Sequence, residues 1–275
     1  MLALFGAVLT GSFVSYYDKI GLNTGMSRAK FLFLKSVGIL PFIPFLFLFF
    51  PFKLEFSVIF MLLLLLIVAV NITSSIGFVG VARKVSPHES MLYSSLSIPL
   101  VYFVDVLIGS VNFSFLNLFY LTLIIFGVLL LSSFKLNKIT FKASLLLGVV
   151  SATLKGYLLY FFLKYTSPPV YLLLVYIITA LILKAFFTKQ IEKISIKDWK
   201  WAFVTQIGGV IGLALNTMLL THSVSFYMLR IPLILIGLTL SSFFVKNKKV
   251  AVAPSFMSIL AIIMGVTGII LFGLA

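Results

Sequence analysis

The side chains with chemistry to do are a few charged and amide residues set deep inside long apolar runs. Lys155 lies roughly 18 Å along a run that begins near residue 143, at about 1.5 Å per residue. It sits in the ridge Gly148-x-x-x-Ala152-x-x-x-Gly156, whose small side chains permit close helix approach. A lysine at that depth cannot easily reach either surface, so it needs a buried partner or a solute. Asp105 is the acid that would make it a structural ion pair instead. Arg230 stands two residues before Pro232 in a later run. Pro232 cannot donate to the carbonyl of Met228, and Pro99 likewise frees that of Ser95, so both are expected helix kinks. If Lys155 and Arg230 share a cavity, two buried cations call for an anionic solute, a carboxylate or a phosphate.

A second set of ionisable residues suits coupling or ion pairing: Asp105, His88, Glu89 and Lys35. Histidine titrates near neutrality and could serve a proton-coupled cycle. The plainer reading of His88, Glu89 and His222 is interfacial placement at helix ends. Lys35, six residues into its run, can snorkel toward the headgroups, as can Lys184. Neutral polar residues fill out the candidate substrate-binding set. Asn71, Gln206 and Asn216 are expensive in lipid and should face the interior, while Tyr16, Tyr93, Tyr157 and Tyr227 can offer hydroxyls or ring faces. Tyr157 is the one placed deepest.

These residues must be carried by membrane helices. The chain has 275 residues, is 62% hydrophobic and only 10% charged, and a soluble domain could not hide so much apolar surface. Reading apolar runs of about 20 residues gives ten spans: 2–19, 29–51, 57–82, 87–108, 115–134, 143–165, 169–188, 200–220, 223–245 and 252–274. The first lacks a basic leader and a good cleavage site, so it is read as a membrane helix rather than a signal peptide. The absence of cysteine excludes disulfides and thiol catalysis. No Walker A, GxSxG or HExxH pattern is present, and neither a metal nor a cofactor is expected.

Internal repeats give the runs a plan. Leu96-Ser97-Ile98-Pro99 matches Leu229-Arg230-Ile231-Pro232, and Ile124-Ile125-Phe126-Gly127-Val128 matches Ile262-Ile263-Met264-Gly265-Val266. Ile76-Gly77 matches Ile211-Gly212, and the three offsets are 133, 138 and 135. The expected fold is therefore an all-α integral membrane protein with ten transmembrane helices, in two inverted five-helix repeats. They are 1–136 and 137–275, within one compact membrane domain. Five spans per repeat force the second half to enter from the opposite side. That is a frequent plan for secondary transporters, with the substrate held near the midplane. A GxxxG pattern in Gly208-Gly209-Val210-Ile211-Gly212 is assigned to packing within the bundle rather than to a dimer seam.

With its Leu-x-Ile-Pro signature and Gly-Val runs, the chain resembles the EamA-like members of the drug/metabolite transporter superfamily over its whole length. The stretch from Val85 to Pro99 looks like that family's junction between spans 3 and 4. One departure is that Ile108-Gly109-Ser110-Val111-Asn112 stands where an acidic Gly-Glu turn is common. The resemblance implies movement of a small solute without ATP hydrolysis, and no enzymatic activity.

The net charge of +15 would suggest nucleic acid in a soluble protein, but here it sits in the short gaps between spans and implies a lipid partner instead. Loops after odd-numbered spans carry fifteen lysines and arginines, and the other side has only Lys53 and Lys164. Positive-inside reasoning then places both termini on the non-cytoplasmic side of the cell membrane, against the family expectation. The resulting expectation is a carrier of a small metabolite, working as a monomer or homodimer, with proton or counter-solute coupling. Its rivals are an exporter of amino acids or amphipathic compounds with a structural Lys155, and a membrane-embedded lipid-handling protein or enzyme.

Overall fold

The computed structural model describes residues 2–23, 25–82, 97–131, 143–191, 193–220, 233–234, 260, 263–265, 267–268 and 271. Among them the regular structure is helical, apart from one isolated antiparallel bridge between Leu54 and Thr166. The helices are α1 (Leu2–Asn23), α2 (Arg28–Ile39), α3 (Ile43–Leu46), α4 (Val58–Ala82), α5 (Ser97–Leu107), α6 (Phe115–Leu131), α7 (Ala143–Phe162), α8 (Pro168–Phe186), α9 (Thr188–Ile191) and α10 (Ile196–Leu220). A 3-10 turn over Leu40–Phe42 joins α2 to α3. Pro41 and Pro44 fall at the first turns of these short pieces, where a missing N–H removes no helical bond. Helices occupy the ranges expected for spans 1, 2, 3, 5, 6, 7 and 8, and α5 covers the later part of span 4. Spans 9 and 10 lie mostly outside the described residues.

Among the described residues three helical stretches are long and apolar enough to cross a membrane: Arg28–Leu46, Val58–Gly77 and Pro168–Phe186. Exposed apolar faces occur on α4, which is one of these stretches, and on α10. On α4, Phe60, Leu64, Ile67, Val68, Asn71 and Ser74 are buried at helical spacing, while Val58, Ile59, Met61, Leu62, Leu65 and Leu66 are exposed. On α10, Phe203, Ile207 and Ile211 form an exposed stripe, and Ala202, Thr205 and Gln206 point inward. A surface of that kind is aggregation-prone in water and ordinary against acyl chains.

The helices pair in a definite order. The most extensive contacts are α4 with α7 and α1 with α10, followed by α10 with α2 and α2 with α8. Phe60 of α4 stacks on Phe162 of α7 at 4.9 Å, and Phe162 meets Tyr171 of α8 edge-on at 6.0 Å. Each such aromatic pair adds roughly 1 kcal/mol beyond its burial. Gly208 and Gly212 both turn toward α1. A methyl on Gly208 would lie 2.7 Å from the Phe13 ring, and one on Gly212 would lie 2.8 Å from Thr10 Oγ1. The GxxxG pattern is thus spent inside the chain.

Each loop side carries a clamp between distant segments. On the lysine-rich side Ser27 caps α2 by accepting from the Lys30 N–H at 3.1 Å, and its hydroxyl donates to the Gln190 carbonyl at 2.9 Å. Lys30 pairs with Asp198 at 2.7 Å and also donates to the Lys193 carbonyl. On the other side Ser167, which precedes α8, donates its N–H to the Lys53 carbonyl at 3.0 Å. The Glu55 N–H donates to Tyr165 O at 2.8 Å. Lys53 Nζ donates to the Lys164 carbonyl at 2.5 Å.

Candidate functional site

Three helices bring their polar residues together at mid-length. Lys155 stands roughly 18 Å from the start of α7, Asn71 roughly 20 Å along α4 and Thr179 roughly 17 Å along α8, at 1.5 Å per residue. Lys155 Nζ donates to Asn71 Oδ1 at 2.6 Å, a short bond whose donor is charged. Asn71 Nδ2 donates in turn toward Thr179 Oγ1 at 3.5 Å, a long contact. Asn71 and Thr179 are buried, at 6% and 3% exposure, whereas Lys155 is half-buried. An amide suits this position because one end accepts from the ammonium while the other donates onward.

Two residues further along α7, the Tyr157 hydroxyl donates to Asp105 Oδ1 at 2.6 Å and also approaches the Val101 carbonyl at 3.0 Å. Asp105 is 4% exposed and lies in the last turn of α5, where the N–H groups of Ser110 and Val111 return to its carbonyl. Sequence reasoning offered Asp105 as an ion-pair partner of Lys155. In the structure a carboxylate oxygen takes the tyrosine proton donor, and the ammonium takes the Asn71 amide.

Gln206 is buried on α10, 2% exposed, at the α2 contact. A methyl on Gly38 would come within 3.4 Å of its Cγ, and one on Gly209 within 2.5 Å of its Oε1. Gln206 Nε2 and Asn216 Oδ1 are buried with no hydrogen-bond partner among the described residues. Such amides leave donor and acceptor capacity facing the interior. Lys35, read both as an ion-pair candidate and as able to snorkel, pairs with Asp18 of α1 at 2.5 Å and lies 5.6 Å from the Phe31 ring centroid. Both side chains are about one-quarter exposed, and the pair ties α1 to α2.

Of the other expected residues, Tyr16 lies on α1 and Pro99 in the first turn of α5. Ser95, whose carbonyl the Pro99 kink would free, falls outside the described residues. So do His88, Glu89, Tyr93, His222, Tyr227, Arg230 and Pro232. Sequence reasoning missed Asp18, at the edge of the first apolar run, and Thr179, whose hydroxyl in an apolar run carries no pattern.

No family model matches the chain, and no curated protein matches it. Over its full length it superposes on a solved structure described as "Crystal structure of protein". The TM-score is 0.68 at 14% identity, covering 99% of this chain and 96% of that one. At that identity the likeness is one of fold.

Proposed function

We propose that the chain is a ten-helix secondary transporter of the drug/metabolite transporter superfamily, which moves a small, preferably anionic metabolite by alternating access. The observation that carries this reading is the Lys155–Asn71–Thr179 chain at mid-depth, a positive charge held halfway along otherwise apolar helices. Intramembrane cations of this kind characteristically serve solute or ion pathways.

Helix pairing supports the inverted repeat. Exchanging the halves maps span 1 onto span 6 and span 3 onto span 8. The α1–α10 contact then becomes the α7–α4 contact, and these are the two most extensive among the described residues. The α2–α8 contact maps onto itself. Gly268 of span 10 lies against Ile124 of α6, so the span 5–span 10 contact also maps onto itself. The same exchange relates two hydrogen bonds. Tyr157 donates to the Val101 carbonyl at 3.0 Å, and Ser12 of α1 donates to the Ile234 carbonyl at 3.4 Å. Val101 and Ile234 are separated by the offset that relates Pro99 to Pro232. Asn71 and Gln206, both buried amides, are separated by the offset that relates Gly77 to Gly212.

A second reading is favoured by the completeness of the Lys155 bond to Asn71: the lysine is structural, and the cargo is an amino acid or amphipathic compound. Uptake of radiolabelled carboxylates and phosphate esters into proteoliposomes separates the two. Lys155→Gln, with reconstitution matched to wild type, should cut anion uptake at least tenfold, and Lys155→Arg should retain part of it. Undiminished uptake in Lys155→Gln would sink the anionic-solute model and leave the second reading. The charge bias of the loops supports termini on the non-cytoplasmic side, which a reporter fused after Ala275 tests directly.

A further inference from the structure

A cavity of about 690 Å³ opens on the lysine-rich side, between the α1–α2 turn and the segment that leads from α8 into α10. Lys30, Lys189, Lys193 and Lys197 line it, and Asp198 is the acid lining it among the described residues. That acid is already committed. Its Oδ2 accepts from Lys30 at 2.7 Å and from the Ser195 N–H at 2.7 Å. Asp198 therefore offsets Lys30, and among the described residues Lys189, Lys193 and Lys197 leave the lining with an excess of positive charge. Ser27 and Ser195 add hydroxyls to the same wall.

Part of the lining is apolar. Trp201 contributes a ring whose indole N–H is spent on the Tyr17 carbonyl at 2.7 Å, and Ile20 and Met26 stand beside it. The volume exceeds the needs of a bare inorganic ion and falls within the roughly 300–1,000 Å³ range of small-molecule sites. A cationic, hydroxyl-bearing rim over an aromatic wall matches a phosphate ester with a small organic body. Lysine ammonium groups bind phosphate as mobile point charges and need no preformed fork.

We propose that this cavity binds a phosphate-bearing anion, carried either by a phospholipid headgroup or by a soluble phosphate ester, and that the occupant bridges the two segments. The proposal does not rest on the transport reading. The bridged segments are distant in sequence and already touch through Ser27 and Gln190, so an anion between them tightens an existing clamp.

The test uses the full chain in phosphatidylcholine nanodiscs, with or without phosphatidylglycerol. Native mass spectrometry counts retained phosphatidylglycerol, and calorimetry titrates glycerol 3-phosphate. Each interfacial lysine contributes about fivefold to binding of an anionic surface. Lys189→Gln, Lys193→Gln and Lys197→Gln together should then weaken binding about a hundredfold. Lys53→Gln with Lys164→Gln, on the other loop side, should leave it unchanged. Retention of phosphatidylglycerol alone assigns the site to lipid, and a response to glycerol 3-phosphate alone assigns it to a soluble ester. Absence of both in the wild type, or equal weakening in both variants, overturns the proposal. If the triple variant does not fold, Lys193→Gln alone should weaken binding about fivefold, and no change there overturns it.

Discussion

Replacing Asn71 by Leu leaves the Lys155 ammonium facing a hydrocarbon side chain of similar volume. The lost bond is charge-assisted, 2.6 Å long and part-buried, and such bonds contribute about 1.5–3 kcal/mol. The onward contact to Thr179, at 3.5 Å, adds little. Lys155 is half-buried and keeps further interactions, which holds the expected loss near 2 kcal/mol, or about thirtyfold in the folding equilibrium. Lys155→Met removes the charge that needs the amide. In the double variant Asn71→Leu/Lys155→Met most of the loss should therefore return, with a coupling energy of about 1.5 kcal/mol. Unfolding in mixed micelles can be followed by the chain's two tryptophans, Trp199 and Trp201, which both lie on α10. An Asn71→Leu variant within about 0.5 kcal/mol of wild type, or a double variant whose losses simply add, would refute the central bond.

Gly21→Ala should destabilise by about 1–3 kcal/mol, because the new methyl would lie 2.3 Å from Trp201 Cε2 and the ring is already tied to Tyr17. A shift in tryptophan emission together with a lower Tm checks it. Tyr157→Phe should cost about 1–2 kcal/mol in the same unfolding assay, since it removes the donor to Asp105 and Val101. Burial pushes the Asp198 carboxyl upward, but its bonds to Lys30 and Ser195 outweigh that and hold it below its ordinary value of 3.8. A carboxyl lowered by folding stabilises above its unfolded pKa, and that contribution fades as pH falls through the folded one. Wild type should therefore lose stability relative to Asp198→Asn as pH drops from about 4 toward 2, with the two curves parallel between about pH 5 and 7.

Helix positions were largely legible because the apolar runs impose them. The run read as 57–82 folds as Val58–Ala82, and that read as 115–134 folds as Phe115–Leu131. Where local polar chemistry decides the end, the pattern of apolar residues misleads. The run read as 200–220 begins at Ile196 because Ser195 and Asp198 cap it reciprocally, the Ser195 N–H donating to Asp198 Oδ2 and the Asp198 N–H to Ser195 Oγ. The spacing Ser195-x-x-Asp198 before an apolar stretch was the available signal. Depth alone singled out Lys155, Asn71 and Tyr157. Their partners were not legible: Asn71 meets Lys155 across 84 positions and Thr179 across 108. No local spacing encodes such a meeting.

The clamps built on Ser27 and Ser167 have a consequence for energetics. Under the alternating access proposed above, each face would open only when its own clamp parts, and the resting preference would be the difference between two similar sums. One clamp holds the Lys30–Asp198 ion pair at 2.7 Å, and the other the looser Lys53–Glu55 pair at 3.2 Å with both side chains well exposed. If transport is as proposed, that asymmetry favours a conformation sealed on the lysine-rich face, and ionic strength and headgroup charge become settings of a thermodynamic rheostat that shifts the balance between the two clamps.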